Sequence, residues 1–420
     1  MAAMAAMAVC GAACAAGANA NANADIDALS LKTEEPEKSA SPAMKLFVEG
    51  ALAHAEQRYG LGSRTLSRAT LDFWQSGRPA AALQGVVSAR VDATQPEDPR
   101  IDAPAVLSLR EAYIGWQDGA GQQAVDIGRI NLREGPGYGY NPTDFYRDYA
   151  LRTITAVNPF TLREIRMGSV MLRAQQLWSD GSLALVFSPR LACCRSTKGW
   201  SVDLGSTNAR DRGSLSLNSR WSEKLNTQLL AYKEDGAPVK FGASLTALVS
   251  EGAVVHVDWS TAREVSLLSR ALALPAPEET GQRFAAGLTY TTSGRLSVTA
   301  ELQYNGFAAD RSTWQSVVAG QPAVQASYFQ LAQDLQDNAS RQAWLLYAVQ
   351  RDLVWKGLDL TALVKFNLTD SSRLLWLDLR YRLDKMDLAF QVQQKQGVGG
   401  SEFGSPPTKT SGGVVATLYF

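Results

Sequence analysis

Gly413-Val414-Val415-Ala416-Thr417-Leu418-Tyr419-Phe420 ends the chain, and its reading decides the fold. Successive side chains of a strand point to opposite faces. Phe420, Leu418, Ala416 and Val414 therefore share one face, while Thr417 and Val415 share the other. One such strand is compatible with any sandwich. It becomes decisive because the same period-two pattern runs through most of the chain before it.

Composition narrows the choice. At 420 residues a soluble chain is expected to split into two or three domains, yet no Pro/Gly-rich linker divides this one. No window approaches the ~18 consecutive apolar residues of a membrane-spanning helix. Lys and Arg together number 41, as do Asp and Glu, so no net field recruits nucleic acid. A transmembrane barrel accommodates all three facts, because only every second residue of a strand faces lipid.

From residue 45 onward about 18 segments have the length and alternation of tilted membrane strands. They span 45–56, 65–76, 80–92, 106–117, 122–130, 163–177, 182–188, 213–221 and 224–233. The second half contributes 239–250, 253–262, 283–291, 296–307, 341–353, 358–368, 372–384, 387–396 and 413–420. In one of them Leu296, Val298, Ala300, Leu302 and Tyr304 oppose Ser297, Thr299, Glu301, Gln303 and Asn305. No comparable run shows the 3.6 period of a helix.

The connections alternate between short and long. Tight turns are read at 77–79, 118–121, 178–181, 222–223, 251–252, 293–295, 355–357 and 385–386. Long connections are read at 93–105, 131–162, 189–212, 263–282, 308–340 and 397–412. This rhythm predicts an up-and-down antiparallel barrel with short periplasmic turns and long extracellular loops. Trp74, Trp116, Trp178, Trp221, Tyr290 and Trp355, joined by Tyr419 and Phe420, fall at the short-turn ends, where an aromatic girdle belongs.

Residues 1–24 are almost all Ala, with small residues at alternate positions, and read as a signal peptide cut near Ala24. Residues 25–44 read as a flexible periplasmic lead-in, and 45–420 as the barrel. Cys14 has only a weak lipobox context. Cys193 and Cys194 are adjacent in a long loop, either as two exposed thiols or as a vicinal disulfide.

Two resemblances follow from these residues. The terminal Leu418-Tyr419-Phe420 resembles the C-terminal assembly signal of bacterial outer-membrane barrels. Leu109-Arg110-Glu111-Ala112-Tyr113, Val125-Asp126-Ile127-Gly128-Arg129 and Asn141-Pro142-Thr143-Asp144-Phe145 together resemble a signature of proteobacterial channels similar to alginate-export porins, and of related families of unassigned function. The resemblance implies an 18-stranded pore.

Residues 131–162 form the most unusual connection. Gly135, Gly137 and Gly139 alternate with Tyr138 and Tyr140, followed by Asn141 and Asp144, with Arg133, Arg147, Arg152, Arg163 and Arg166 around them. A loop this long is usually functional or disordered, and its Gly and aromatic content argues for order. One reading folds it into the lumen as a constriction offering guanidinium groups to solutes. The other makes it an external cap with its charges paired internally. Parity places Glu49, Asp72, Arg90, Glu111, Arg173, Lys240, Glu301, Lys365, Asp378, Arg380, Arg382 and Lys395 on the lumen side. Arg129 falls on the lipid side near the outer rim, where either a bulge turns it inward or it meets lipopolysaccharide phosphates.

His256, Asp258 and Ser260 share a strand face, but residues two apart lie roughly 6.5–7 Å apart, too far for a His–Asp–Ser relay. No catalysis, metal or cofactor is expected. The sequence therefore points to an outer-membrane channel for a hydrophilic solute or polymer, anionic ones included. Its expected partners are outer-membrane lipid, lipopolysaccharide and the barrel-assembly machinery. The alternative is a non-conducting barrel that serves a periplasmic complex; a lipid-modifying barrel enzyme ranks below both.

Overall fold

The computed structural model describes residues 43–98, 100–318 and 320–420. The leader read at 1–24 and nearly all of the lead-in at 25–44 lie outside them. The strands follow in order: β1 (Ala43–Gln57), β2 (Ser63–Ala80), β3 (Leu83–Gln95), β4 (Ala105–Gln117), β5 (Gln123–Ile130) and β6 (Ser169–Trp178). Next are β7 (Gly181–Ser188), β8 (Arg212–Ser222), β9 (Leu225–Glu234), β10 (Lys240–Ser250), β11 (Ala253–Glu264) and β12 (Glu279–Thr291). The last six are β13 (Leu296–Asn305), β14 (Gln342–Gln350), β15 (Leu358–Asn367), β16 (Arg373–Arg382), β17 (Met386–Gln396) and β18 (Thr408–Tyr419). All 18 join one sheet. Each pairs antiparallel with the next, and β18 returns to β1 with Leu52 opposite Val414 and Val48 opposite Leu418. The sheet closes into a ring.

Alternation sorts the side chains inside out relative to a soluble protein. Val48, Leu52, Leu185, Phe187, Leu377, Leu379, Val414 and Leu418 are exposed on the outer wall. Thr70, Asp72 and Arg90 on β2–β3, His256 and Asp258 on β11, and Glu301, Gln303 and Asn305 on β13 are buried on the inner face.

Several sequence expectations are corrected. The segment read as a strand over 163–177 starts as a helix, Pro159–Ile165, and the strand begins at Ser169. The turn read at 77–79 is a bulge within β2, and the reversal lies at Ala81-Ala82. Pro79 is tolerated there because a bulge demands no ladder N–H. The turn read at 222–223 lies at Glu223-Lys224. The connection read at 308–340 contains a helix, Pro322–Asp334. Trp116, Trp178, Trp221, Tyr290 and Trp355 form an exposed belt at the short-turn end. Trp74 does not join it; it sits opposite Lys45, whose Nζ lies 5.3 Å from its ring. Tyr419 also turns inward, donating to Asp387 Oδ2 at 2.9 Å.

The long-loop end has a small core of its own. Leu267, Trp314, Tyr328, Ala332 and Leu335 pack together from two connections. Trp314 Nε1 and Gln325 Nε2 both donate to the Gly400 carbonyl, tying in the last loop.

The wall is incomplete where β5 stops. β5 covers only Ala112–Gln117 of β4, and residues 189–211 fold over the space beyond. Leu107 N donates to Gly199 O at 2.8 Å. The Asn208 amide accepts from Val170 N and donates to Val170 O, at 2.9 and 2.8 Å, taking the place of a strand neighbour. Arg129 is buried under this cover. It donates to Val202 O at 2.6 Å and to Thr207 Oγ1 at 3.2 Å. It therefore meets neither lipid nor lipopolysaccharide; the cover supplies its acceptors.

Candidate functional site

After Ile130 the chain leaves the wall and residues 131–158 enter the lumen. The glycines make this possible. Gly135 has φ +81°, and a Cβ there would lie 2.4 Å from Asp258 Oδ2; one at Gly139 would lie 2.5 Å from Leu345 Cδ2. The backbone thus lies directly against β11 and β14 with no side chain between.

Glu301 holds the tip. It is fully buried, and its carboxylate receives the backbone N–H groups of Tyr138, Gly139 (3.0 Å) and Tyr140 (3.1 Å). Gln303 Nε2 donates to the same carboxylate at 2.7 Å, and His256 Nε2 lies 2.9 Å from it. A nest of three successive N–H groups is a natural cradle for an anion. Glu301, expected to face the solute path, is instead the loop's anchor.

Further contacts extend in both directions. Thr143 Oγ1 donates to Asp258 Oδ1 at 2.8 Å, as does Ser244 Oγ. Tyr146 reaches Ser214 on β8. On the far side Thr155 O accepts from Arg68, and Thr155 Oγ1 from Arg90. The loop thus touches β2–β3 and β8–β14, and crosses the lumen rather than capping it from outside.

Its charged groups are already engaged. Arg166 and Arg163 face Asp144 at 2.8 and 3.7 Å. Arg163 also donates to Asn141 Oδ1. Arg152 spends its guanidinium on the carbonyls of Leu107, Lys198, Gly199 and Ser201 in the wall cover. Arg147 and the Tyr140 hydroxyl converge on Asp337, which also accepts from Arg283 Nε at 3.0 Å. Burial pushes the Asp337 carboxyl up, but Arg283, Arg147 and the Tyr140 hydroxyl outweigh it and hold it below the ordinary carboxylate value. Burial, together with the Asp337 charge, pushes the Tyr140 phenol well up. Of the expected constriction residues, Tyr138, Tyr140, Asn141, Asp144, Arg147 and Arg152 are buried, and Arg133 alone is exposed. The expectation that the loop arginines are offered to solutes is corrected on that ground for Arg147 and Arg152, while Arg133 stays exposed.

The remaining lumen candidates are mostly paired. Arg90 bonds Asp92 and Asp72, and Glu49 bonds Arg68. Arg173 lies 3.8 Å from Asp126, and Lys240 lies 2.5 Å from Glu264. Arg380 lies 3.2 Å from Asp378 and 3.6 Å from Asp387. Arg382 lies 2.8 Å from Asp359. Glu111 lies within electrostatic reach of Arg133 and Arg110, with no ion pair within 4.0 Å among the described residues. Among the described residues, no ion pair within 4.0 Å includes Arg58, Lys365 or Lys395. Arg58 donates to Pro406 O and Lys395 O, and Lys365 to Asn338 Oδ1.

Arg110 escaped the sequence reading. A bulge sets Glu111 opposite Ser88 but Leu109 opposite Ala89, leaving Arg110 unpaired in the ladder. Strict parity would turn it outward; instead it is buried and bonds both Asp72 oxygens, at 2.9 and 2.6 Å. Asp337 was missed too, because nothing in a loop sequence marks the acid on which three elements converge. The His256, Asp258 and Ser260 face forms no relay: His256 binds Glu301, and Asp258 binds Thr143 and Ser244.

A closed ring of eighteen antiparallel strands with one connection folded across its lumen has the architecture of a porin-type barrel. Solved structures that share the fold include OccAB1 of Acinetobacter baumannii, with a TM-score of 0.59, 10% identity, and 93% of this chain and 99% of that one covered. A BenF-like porin from Pseudomonas fluorescens Pf-5 aligns with a TM-score of 0.58 at 8% identity, over 90% and 98% of the two chains. OccK8 (OprE) of Pseudomonas aeruginosa aligns at 0.53 and 10% identity, over 90% and 98%. No family model and no curated protein sequence matches the chain.

Proposed function

We propose that this chain is a porin-type channel of a bacterial outer membrane, passing a small hydrophilic solute through a lumen narrowed by residues 131–158. The observation that carries it is the inverted surface: large apolar side chains outside, ionisable and amide side chains inside. Each outer Leu, Val or Phe would gain ~1.5–3 kcal/mol on leaving water, so lipid is the solvent that suits this wall. The aromatic belt fits one membrane interface. The solved porins named above have the same fold.

Arg58 and Lys395, which belong to no ion pair within 4.0 Å among the described residues, support a preference for anionic solutes, and Lys365, within electrostatic reach of Glu402, adds less. The paired Arg380 and Arg382 contribute little net charge. The likeness to alginate-export porins would extend the solute class to an anionic polymer. Yet its motif residues serve the architecture: Arg110 and Arg129 close the wall, and Thr143 and Asp144 fix the loop. Lipopolysaccharide around the rim and the barrel-assembly machinery acting on Leu418, Tyr419 and Phe420 complete the proposal.

A second reading, a plugged scaffold, is favoured by how firmly the loop is held to opposite walls. Planar-bilayer recording of the purified protein separates the two. Discrete steps with a reversal potential displaced toward anions at low salt support the channel, and silence across all reconstitutions supports the scaffold.

A further inference from the structure

Cys193 and Cys194 are adjacent, exposed free cysteines in the wall-covering loop, with their sulfurs in contact. The short segment that carries them is held from both sides. Arg190 N donates to Asp211 Oδ1 at 2.6 Å, and Leu191 N to Asn208 O at 2.9 Å. Beyond the pair, Ser196 N donates to Asp203 Oδ1 at 2.9 Å. Arg195 bonds both oxygens of Asp334, at 2.9 and 3.1 Å. A ligand that bridges the thiols therefore has little loop entropy left to overcome.

We propose that this vicinal dithiol is a capture site for trivalent arsenic compounds, either arsenous acid or an organic arsenical. The geometry selects among thiophilic centres. A two-coordinate linear ion needs its sulfurs on opposite sides, which neighbouring cysteines this close do not provide. A tetrahedral zinc site needs three or four protein donors, and no group of three or more candidate ligands occurs among the described residues. Trivalent arsenic is pyramidal. It takes two sulfurs side by side and keeps a third substituent directed at solvent.

The chemistry closes without a redox partner. With arsenous acid, two As–S bonds form and two As–OH bonds break. Each thiol proton leaves with one hydroxide as water, and arsenic stays trivalent. The Cys193 thiol, by hydrogen bonding to Cys194 and by its own charge, pushes the Cys194 thiol above its ordinary value. Arg129 and Arg152 anchor the loop independently of the sulfurs, so capture leaves the barrel intact.

The test uses the full chain in detergent, reduced with a phosphine that is then removed and treated with phenylarsine oxide. Denaturation and trypsin cleavage after Arg190 and Arg195 release residues 191–195, separate from Cys10 and Cys14. The expected product is one arsenic per peptide, with one water lost, resistant to excess glutathione and released by dimercaptopropanol. Cys193→Ser and Cys194→Ser should each lower retention under glutathione at least tenfold. Two arsenic atoms on the wild-type peptide, no arsenic on it, or retention undiminished in either variant would overturn the proposal. The stoichiometry needs no variant, so the test does not depend on how the variants fold.

Discussion

Replacing Glu301 with Gln tests the lumen loop at its anchor. The carboxylate receives three backbone N–H groups from Tyr138, Gly139 and Tyr140. Hydrogen bonds to a charged acceptor contribute ~1.5–3 kcal/mol each and neutral ones ~0.5–1.5, a difference of about 1 kcal/mol per bond. Over three bonds the neutral amide forfeits ~3 kcal/mol, which moves the balance between docked and released loop roughly a hundredfold. The Gln amide group also turns a donor toward donors, which acts in the same direction. The wall itself is spared, because Glu301 pairs with Gly287 and Leu345 through its backbone. In single-channel recordings Glu301→Gln should show a higher mean conductance and frequent transitions to a larger level, while heat-modifiable mobility on gels stays that of the wild type. If the wild type is silent, Glu301→Gln should be the variant that first conducts. A quiet trace at wild-type conductance from a correctly folded variant would refute the anchoring role.

Gly139→Val places side-chain carbon against Leu345 and Gln303 and should raise conductance as Glu301→Gln does, whereas Gly119→Val at an open turn should not; bilayer recording compares them. Lys365→Glu with Lys395→Glu should move the reversal potential toward cations at low salt. The shift should fade near 1 M, where the Debye length is ~3 Å. Arg129→Ala should loosen the wall cover and speed trypsin nicking between residues 190 and 195, read by mass spectrometry against an unchanged barrel band. Glu134 sets a pH dependence. Burial pushes its carboxyl from 4.5 up to about 7, against the opposing Gln228 hydrogen bond. The docked loop therefore holds the proton more tightly than the free one. Docking is fully favoured below pH 4.5 and loses that support as pH rises through about 7. Flicker should grow over that interval and lose its pH dependence in Glu134→Gln.

The barrel was legible because alternation is local and repeated: Leu296 to Asn305 announces its two faces without reference to any other segment. The loop's path was legible only as a choice between two readings. Its glycine spacing signalled close backbone approach but not the wall it approaches, since Glu301 and Asp258 look like any other lumen acids in sequence. Parity failed where the backbone departs from a regular ladder. The bulge at Arg110 turned a nominally outward arginine inward, and the early end of β5 buried Arg129 under a loop from elsewhere. The helix Pro322–Asp334 did leave a trace. Pro322 stands at its first turn, and buried Gln325, Tyr328, Ala332 and Leu335 recur at three- and four-residue spacing.

A ring of strands has one easy deformation, which is to flatten from round toward oval. Residues 131–158 run like a spoke from Arg68 and Arg90 on one side to Asp258 and Glu301 on the other. Flattening along that direction would compress the glycine backbone into Asp258 and Leu345, and stretching would pull three N–H groups from one carboxylate. Any passage beside the spoke would therefore have a set width. In the proposed channel, solutes would meet a rigid aperture and be sorted by their own size, because the wall does not yield to let a larger one through.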